Sequence, residues 1–264
     1  MIYCYLKGGL GNMLFQIAAT KSMAIDLNIE CSFPNLNHHL KTLDDDKFYN
    51  PKLNHAFEYK LLLSNLLTVS PNSLIPVYNF PFHYIELEVK NNSIVDGFFQ
   101  SEKYFKHNRD KILNFLNSKE ILELIKNKYD YVLNTNCTSI HIRRGDYLKL
   151  SNHHPTQNLD YYNDAINLVI NKTDNFIIFS DDIDWCKKNL KLDKAIYIDD
   201  EKDYIELYLM SLCKNNIIAN SSFSWWGAWL NDNINKTVIG PKNWFGNSIQ
   251  HNTNDILPES WIKI

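Results

Sequence analysis

The chain carries no excess of basic charge: 27 Lys and Arg face 30 Asp and Glu over 264 residues, a formal net charge of −3. A global field able to hold a nucleic-acid backbone is missing, so any anion site must be local. The five cysteines (Cys4, Cys31, Cys137, Cys186, Cys213) are odd in number, widely spaced and free of any C-x-x-C. Neither a disulfide framework nor a zinc pattern fits, and a reducing compartment suits them. No apolar run approaches the ~18 residues of a membrane span. Met1 leads straight into Ile-Tyr-Cys-Tyr-Leu, without the n-region and h-region of a secretory signal. The expected location is cytoplasmic, a reading compatible with peripheral membrane attachment. No H-x-x-x-H spacing occurs, and no metal is expected.

What remains is an ordinary globular composition, 45% hydrophobic and 22% charged. That length allows one large domain or two of common size, with a core that needs no staples. Met1 to Lys7 reads as a buried strand, Gly8-Gly9-Leu10-Gly11-Asn12 as a glycine turn, and Met13 to Leu27 as a helix. Pro34 to about Tyr84, rich in Asn, Pro and His, reads as loops and short helices. Arg109 to Leu133 is helical in pattern.

The second half alternates regularly. Ser139 to Arg143, Asn175 to Phe179, Ala195 to Ile198 and Asn216 to Ala219 are short β-branched or aromatic runs. Helical patterns lie between them at Leu159 to Ile170, Asp184 to Leu190 and Lys202 to Cys213, so βαβ units and a parallel sheet are expected. A polar cluster follows each strand: Arg143-Arg144-Gly145-Asp146, Ser180-Asp181-Asp182, Asp199-Asp200 and Asn220-Ser221-Ser222. Gly8 to Asn12 occupies the same place in the first half. Ligands of open α/β sheets bind outside the carboxyl ends of the strands, so these clusters point to one site.

Two adjacent arginines at a strand end suit the planar, bidentate recognition of phosphate. Asp146 can hold one guanidinium or accept a proton, and a structural ion pair is the plain alternative. Ser221 and Ser222 precede a helix over Phe223 to Leu230, where free N–H groups serve an ordinary cap or a phosphate. His141 shares a strand face with Arg143, yet a satisfied core histidine reads the same way. Asp181-Asp182 and Asp199-Asp200 suit sugar hydroxyl or base contacts. By spacing alone Glu206 is a solvated helix face. Gly9-Leu10-Gly11-Asn12-Met13-Leu14 is half a dinucleotide fingerprint whose third glycine is Leu14, and no Walker pattern is present. Trp225, Trp226 and Trp229 at helical spacing read as core.

Three linked motifs resemble the α-1,2-fucosyltransferases of glycosyltransferase family 11: Gly8-Gly9-Leu10-Gly11-Asn12, His141-Ile142-Arg143-Arg144-Gly145-Asp146-Tyr147, and Ser221-Ser222-Phe223-Ser224-Trp225-Trp226-Gly227-Ala228. The resemblance implies an α/β fold of the GT-B type, two Rossmann-like domains facing a central cleft. It places an acceptor-side domain at 1–134 and a GDP-fucose-binding domain at 135–264, whose tail can pack back on the first. It implies inverting, metal-independent transfer of L-fucose from GDP-β-L-fucose to the 2-hydroxyl of a terminal β-galactoside. Arg143, Arg144 and Asp146 would be catalytic. His141, Arg143, Arg144, Glu206, Ser221, Ser222, Phe223, Asn12 and Gly11 would bind the donor, with His141 and Glu206 at the guanosine. Met13 stands where the family usually has Gln, and Glu206 where it often has Asp. Asp146 and His153 are the general-base candidates. A GDP-sugar transferase of other acceptor or linkage, and a non-catalytic nucleotide-binding protein, are the competing expectations.

Overall fold

In the computed structural model, which describes residues 1–45, 58–73, 75–79, 82–248 and 250–264, the chain divides into two units. Unit 1 comprises Met1–Ser118 and His251–Pro258; unit 2 comprises Lys119–Gln250 and Glu259–Ile264.

Unit 1 is built on a four-stranded sheet of order β2-β1-β4-β3. Its strands are β1 (Ile2–Cys4), β2 (Cys31–Ser32), β3 (Ile75–Asn79) and β4 (Ser93–Gly97), all parallel to their neighbours. Strands β3 and β4 were not expected from the sequence. The Asn- and Pro-rich composition hides β3, which is five residues long and has Ile75 and Tyr78 exposed. The helix after β1 runs Leu10–Asp26, so the glycine turn is shorter than expected and Gly11 and Asn12 lie in its first turn. The expected helical stretch 109–133 is three helices: Arg109–Leu116, Lys119–Lys128 and Asp130–Leu133. Those residues expected as loops at 46–57, 74 and 80–81 lie outside the described residues.

Beyond β1 the chain stays extended because side-chain amides stand in for a neighbouring strand. Asn35 accepts from Leu6 N–H and donates to its carbonyl, both at 2.8 Å. Fully buried Gln16 does the same for Lys7, at 3.0 and 2.9 Å. Buried backbone groups need such partners, and here they lead the chain into the Gly8 turn.

Unit 2 carries a six-stranded sheet of order β10-β9-β8-β5-β6-β7. The strands are β5 (Cys137–Ile142), β6 (Asn175–Ser180), β7 (Ala195–Tyr197), β8 (Asn215–Ile217), β9 (Val238–Gly240) and β10 (Ile262–Lys263). Every pairing is parallel. From β5 the chain steps outward through β6 to β7, then returns to β5's other side at β8. That is the doubly wound order, and its direction reverses between β5 and β8. Strand β5 is buried throughout, with Ile140 and Ile142 in a core cluster alongside Tyr162, Ile166 and Ile178. Strands β9 and β10 were not read from the sequence; each is at most three residues long.

The helices Asp203–Leu212 and Ser222–Leu230 pack closely, since a Cβ on Gly227 would lie 2.9 Å from Met210 Cβ. Trp225, Trp226 and Trp229 are core, as expected: all three are buried, and Trp225 also packs at 5.4 Å between ring centroids on Trp261. The cysteines are all buried and unbridged.

Candidate active site

In unit 2 the sequence-predicted residues gather at the carboxyl ends of β5, β6, β7 and β8, on both sides of the reversal. Arg143 leaves the end of β5 and is held between two carboxylates. Its Nη2 donates to Asp146 Oδ1 at 2.7 Å, and its Nη1 lies 3.1 Å from Asp181 Oδ2. Burial opposes its charge, but Asp181 and Asp146 prevail and raise its pKa above the ordinary arginine value. Arg144 turns the other way. Its guanidinium carbon sits 3.9 Å from the Trp185 ring centroid, and Nε donates to Asp182 Oδ2 at 3.0 Å. A guanidinium has five N–H donors. Arg143 commits two and Arg144 one, so both forks keep donors for a ligand.

Asp181 is the hub of this corner. Its Oδ1 accepts from the Arg144 backbone N–H at 2.8 Å while Oδ2 faces Arg143. Gly145 lets it approach: a Cβ there would meet Asp181 Oδ2 at 2.6 Å. Asp182 and Asp184 stand in D-x-D spacing, but Asp182 is committed to Arg144 and caps the helix Ile183–Asn189 through Trp185 N–H at 3.2 Å. Among the described residues no group of three or more His, Cys, Asp or Glu is arranged to hold a metal ion. Asp199 pairs with Lys187 at 2.8 Å.

Across the reversal, Ser221 precedes the helix Ser222–Leu230 and makes no side-chain cap. The N–H groups of Ser222, Phe223 and Ser224 precede the first intrahelical bond, from Trp225 N–H to Ser221 C=O. The Phe223 ring lies 5.5 Å from that of His141, which ties this helix start to the end of β5. His141 is buried, and its Nδ1 has no hydrogen-bond partner among the described residues. Burial, then the Arg143 charge, bring its pKa down to about 3, so the ring is neutral at ordinary pH.

Glu206 lies on the first turn of the helix Asp203–Leu212, partly buried and with no partner for its carboxyl among the described residues. Loss of hydration raises its pKa well above the carboxylate range, and Asp203, Glu201, Asp181 and Asp199 push the same way. Glu201, one of those acids, is held low despite burial by Lys128 at 2.5 Å and the Tyr129 hydroxyl at 2.6 Å.

Sequence reasoning placed Asn220 in a polar cluster at the site but missed the partners that surround it. Asn220 is buried and fully used: Nδ2 donates to the carbonyls of Pro155 and Trp244, both at 3.0 Å, and Oδ1 accepts from Gln157 at 3.0 Å. Its own carbonyl accepts from the Tyr147 hydroxyl at 3.1 Å. The Tyr147 ring stacks on His154, 5.0 Å apart, and His154 packs on Phe245. These contacts anchor the loop after Asp146 to the end of β8. His153, one general-base candidate, is exposed; the other, Asp146, is engaged by Arg143. Gly11 and Asn12 lie in unit 1, where Gln100 Nε2 donates to Asn12 Oδ1 at 2.8 Å. No signal in the sequence marks Gln100, because β4, which it follows, was itself not expected.

A doubly wound parallel sheet with paired arginines and an open helix start at its reversal suits a ligand that carries phosphate. A sequence model of glycosyl transferase family 11 matches residues 81–264. An alpha-1,2-colitosyltransferase of Escherichia coli is 32% identical over 300 residues, covering 100% of this chain and 99% of that one. A galactoside 2-alpha-L-fucosyltransferase of Caenorhabditis elegans is 30% identical over 170 residues, covering 59% of this chain and 40% of its own. Among solved structures, fucosyltransferase NodZ from Bradyrhizobium superposes with a TM-score of 0.52 at 15% identity, over 86% of this chain and 90% of that one. The fold is thus α/β of the GT-B type. The chain belongs to glycosyl transferase family 11. Among the described residues no helix is long and apolar enough to cross a membrane.

Proposed function

We propose that the protein transfers L-fucose from GDP-β-L-fucose to the 2-hydroxyl of a terminal β-galactoside, with inversion, forming an α-1,2 linkage. The observation that carries this reading is the pair Arg143 and Arg144, held at the end of β5 beside the open helix start at Ser222. In this reading the C1–O bond to the β-phosphate breaks and its electron pair leaves with GDP. The new bond forms from the acceptor oxygen, which gives up its proton. Arg143 and Arg144 offset the charge that grows on the leaving diphosphate, which is electrostatic catalysis needing no metal. Asp146 orients Arg143, and Ser221, Ser222 and Phe223 meet the phosphates. His141 and Glu206 line the guanosine, whose adjacent N1–H and N2–H match a carboxylate. In unit 1, Asn12 beside Gly11 offers its amide to a sugar oxygen.

The names of two relatives share a linkage to a 2-position, which supports that regiochemistry. The near full-length relative named for colitose favours a second reading in which the sugar is colitose, the 3-deoxy counterpart of L-fucose. Calorimetric titration with GDP against ADP, in EDTA, tests the nucleotide site. Incubating the enzyme separately with GDP-fucose and GDP-colitose and a panel of galactosides, with linkage analysis of the product, decides between the sugars. Absence of GDP binding by folded protein would sink the donor site and the residue roles together.

A further inference from the structure

Gln100 occupies a place suited to an apolar side chain. It is 7% exposed and follows fully buried Phe99, whose φ of 51° is a strained conformation for an aromatic residue. Ser101 N–H donates to the Phe99 carbonyl at 2.7 Å, so Gln100 sits at the apex of a tight turn just past β4. Its Nε2 donates to Asn12 Oδ1 at 2.8 Å, and its Oε1 is buried without a partner among the described residues. An orphaned buried acceptor destabilises a fold, and an apolar residue of similar shape would remove that penalty. Stability therefore does not account for the amide.

Its effect on Asn12 does. With Nε2, which can only donate, facing it, Asn12 presents Oδ1 to Gln100, and that leaves Nδ2 for other partners. Gly8, in the left-handed region at φ +76°, makes room for this orientation: a Cβ there would lie 2.7 Å from Asn12 Nδ2. We propose that Gln100 is a positioning residue that locks the Asn12 amide so that it meets substrate only as a hydrogen-bond donor, to an oxygen lone pair of a bound sugar. The proposal rests on the reading of Asn12 given above and adds the sign of its contact.

The test compares Gln100→Met, Gln100→Glu, Asn12→Ala and the Asn12→Ala/Gln100→Met double variant. Turnover, the KM of each substrate, Tm and GDP affinity by calorimetry are measured for each. Gln100→Met keeps the shape, so its Tm stays at or above wild type and GDP affinity stays within about twofold, while kcat falls at least about tenfold. The double variant is no slower than Asn12→Ala, because both changes remove one interaction. An ionised carboxylate at position 100 can only accept and turns Asn12 over, so at a pH high enough to ionise it Gln100→Glu is as slow as the Met variant or slower. Whichever substrate's KM moves with kcat identifies the sugar that Asn12 touches. Wild-type kcat in either Gln100 variant, additive losses in the double variant, or a Tm fall that parallels the loss of activity overturns the lock. Wild-type kcat in Asn12→Ala removes the reading of Asn12 itself, and the lock falls with it.

Discussion

Glu206 gives the sharpest handle on the nucleotide reading. Among the described residues no cation lies beside its carboxyl, and burial holds its pKa well above the usual range, with Asp203, Glu201, Asp181 and Asp199 also disfavouring its charge. A guanine edge supplies the two parallel N–H donors that this carboxylate lacks. Hydrogen bonds to a charged group contribute about 1.5–3 kcal/mol each. Glu206→Gln keeps one acceptor and turns an NH2 toward the second N–H, so GDP affinity should fall by about 2–3 kcal/mol, or roughly 30- to 150-fold. The pH dependence has a definite sign. Below the raised pKa of the free protein Glu206 is protonated, so binding must release its proton and weakens by about tenfold per pH unit on further acidification. Above that pKa affinity is flat. Titration of GDP in buffers of different ionisation enthalpy counts the protons released; the terminal phosphate titrates too, so the Gln variant serves as reference. Inosine diphosphate, lacking the 2-amino group, should lose affinity against wild type and little against Glu206→Gln. Equal GDP affinity and equal proton release in wild type and Gln variant would refute the reasoning.

Gly145→Ala drives a Cβ to within 2.6 Å of Asp181 Oδ2 and so loosens the carboxylate that faces Arg143 and the Arg144 N–H. Because that ion pair is partly hydrated, thermal unfolding should show only about 1–2 kcal/mol of lost stability, while turnover drops about tenfold. Asn220→Leu strips partners from Pro155, Trp244 and Gln157 at once. A loss of about 3 kcal/mol is expected, and calorimetry should register a Tm lower by roughly 6–12 °C. His141, whose pKa burial lowers to about 3, makes the fold acid-sensitive. As pH falls below about 6.5 the unfolded chain takes up a proton that the folded chain refuses, removing about 1.4 kcal/mol per pH unit toward pH 3. Denaturant titrations of His141→Gln should therefore show a shallower acid limb.

The second half was legible because its pattern is repetitive. Strands β5 to β7 are short, mostly apolar or β-branched runs and β8 leads into one, each followed by a polar cluster, and the clusters marked the carboxyl ends before any pairing was known. Strands β9 and β10 escaped because two or three residues carry no period. In the first half β3 escaped for another reason: Ile75–Asn79 has exposed apolar positions and an internal proline, which read as a loop. Arg143, Arg144 and the helix start at Ser222 were visible as residue types in place. Their partners were not, since Asp181, Asp182 and Trp185 reach them from β6 and the helix after it, across a pairing that spacing does not encode. Glu206 shows the limit most clearly. Its spacing says solvated face, the family resemblance alone assigned it to the guanosine, and the carboxylates around it mark a group in need of donors. Gln100 is the converse, a polar residue whose burial no local pattern announces.

The site's charge balance bears on what it selects. Two guanidinium groups face three carboxylates, Asp146, Asp181 and Asp182, and Glu206 adds a fourth acid nearby. An isolated phosphate entering such a corner meets donors already half engaged and negative charge close by, so it gains little. The carboxylates instead fix the two forks in advance, which lowers the entropy lost when a diphosphate finally binds. The remaining affinity must come from the other end of the ligand, where His141 is neutral and short of one hydrogen bond, Phe223 offers a ring and Glu206 waits for paired N–H donors. On the proposed reading, such a site discriminates chiefly by base. In the proposed reaction it has a second consequence: once the C1–O bond breaks, the arginines gain their full strength only against the extra charge on the leaving diphosphate, so their contribution grows toward the transition state rather than in the bound substrate.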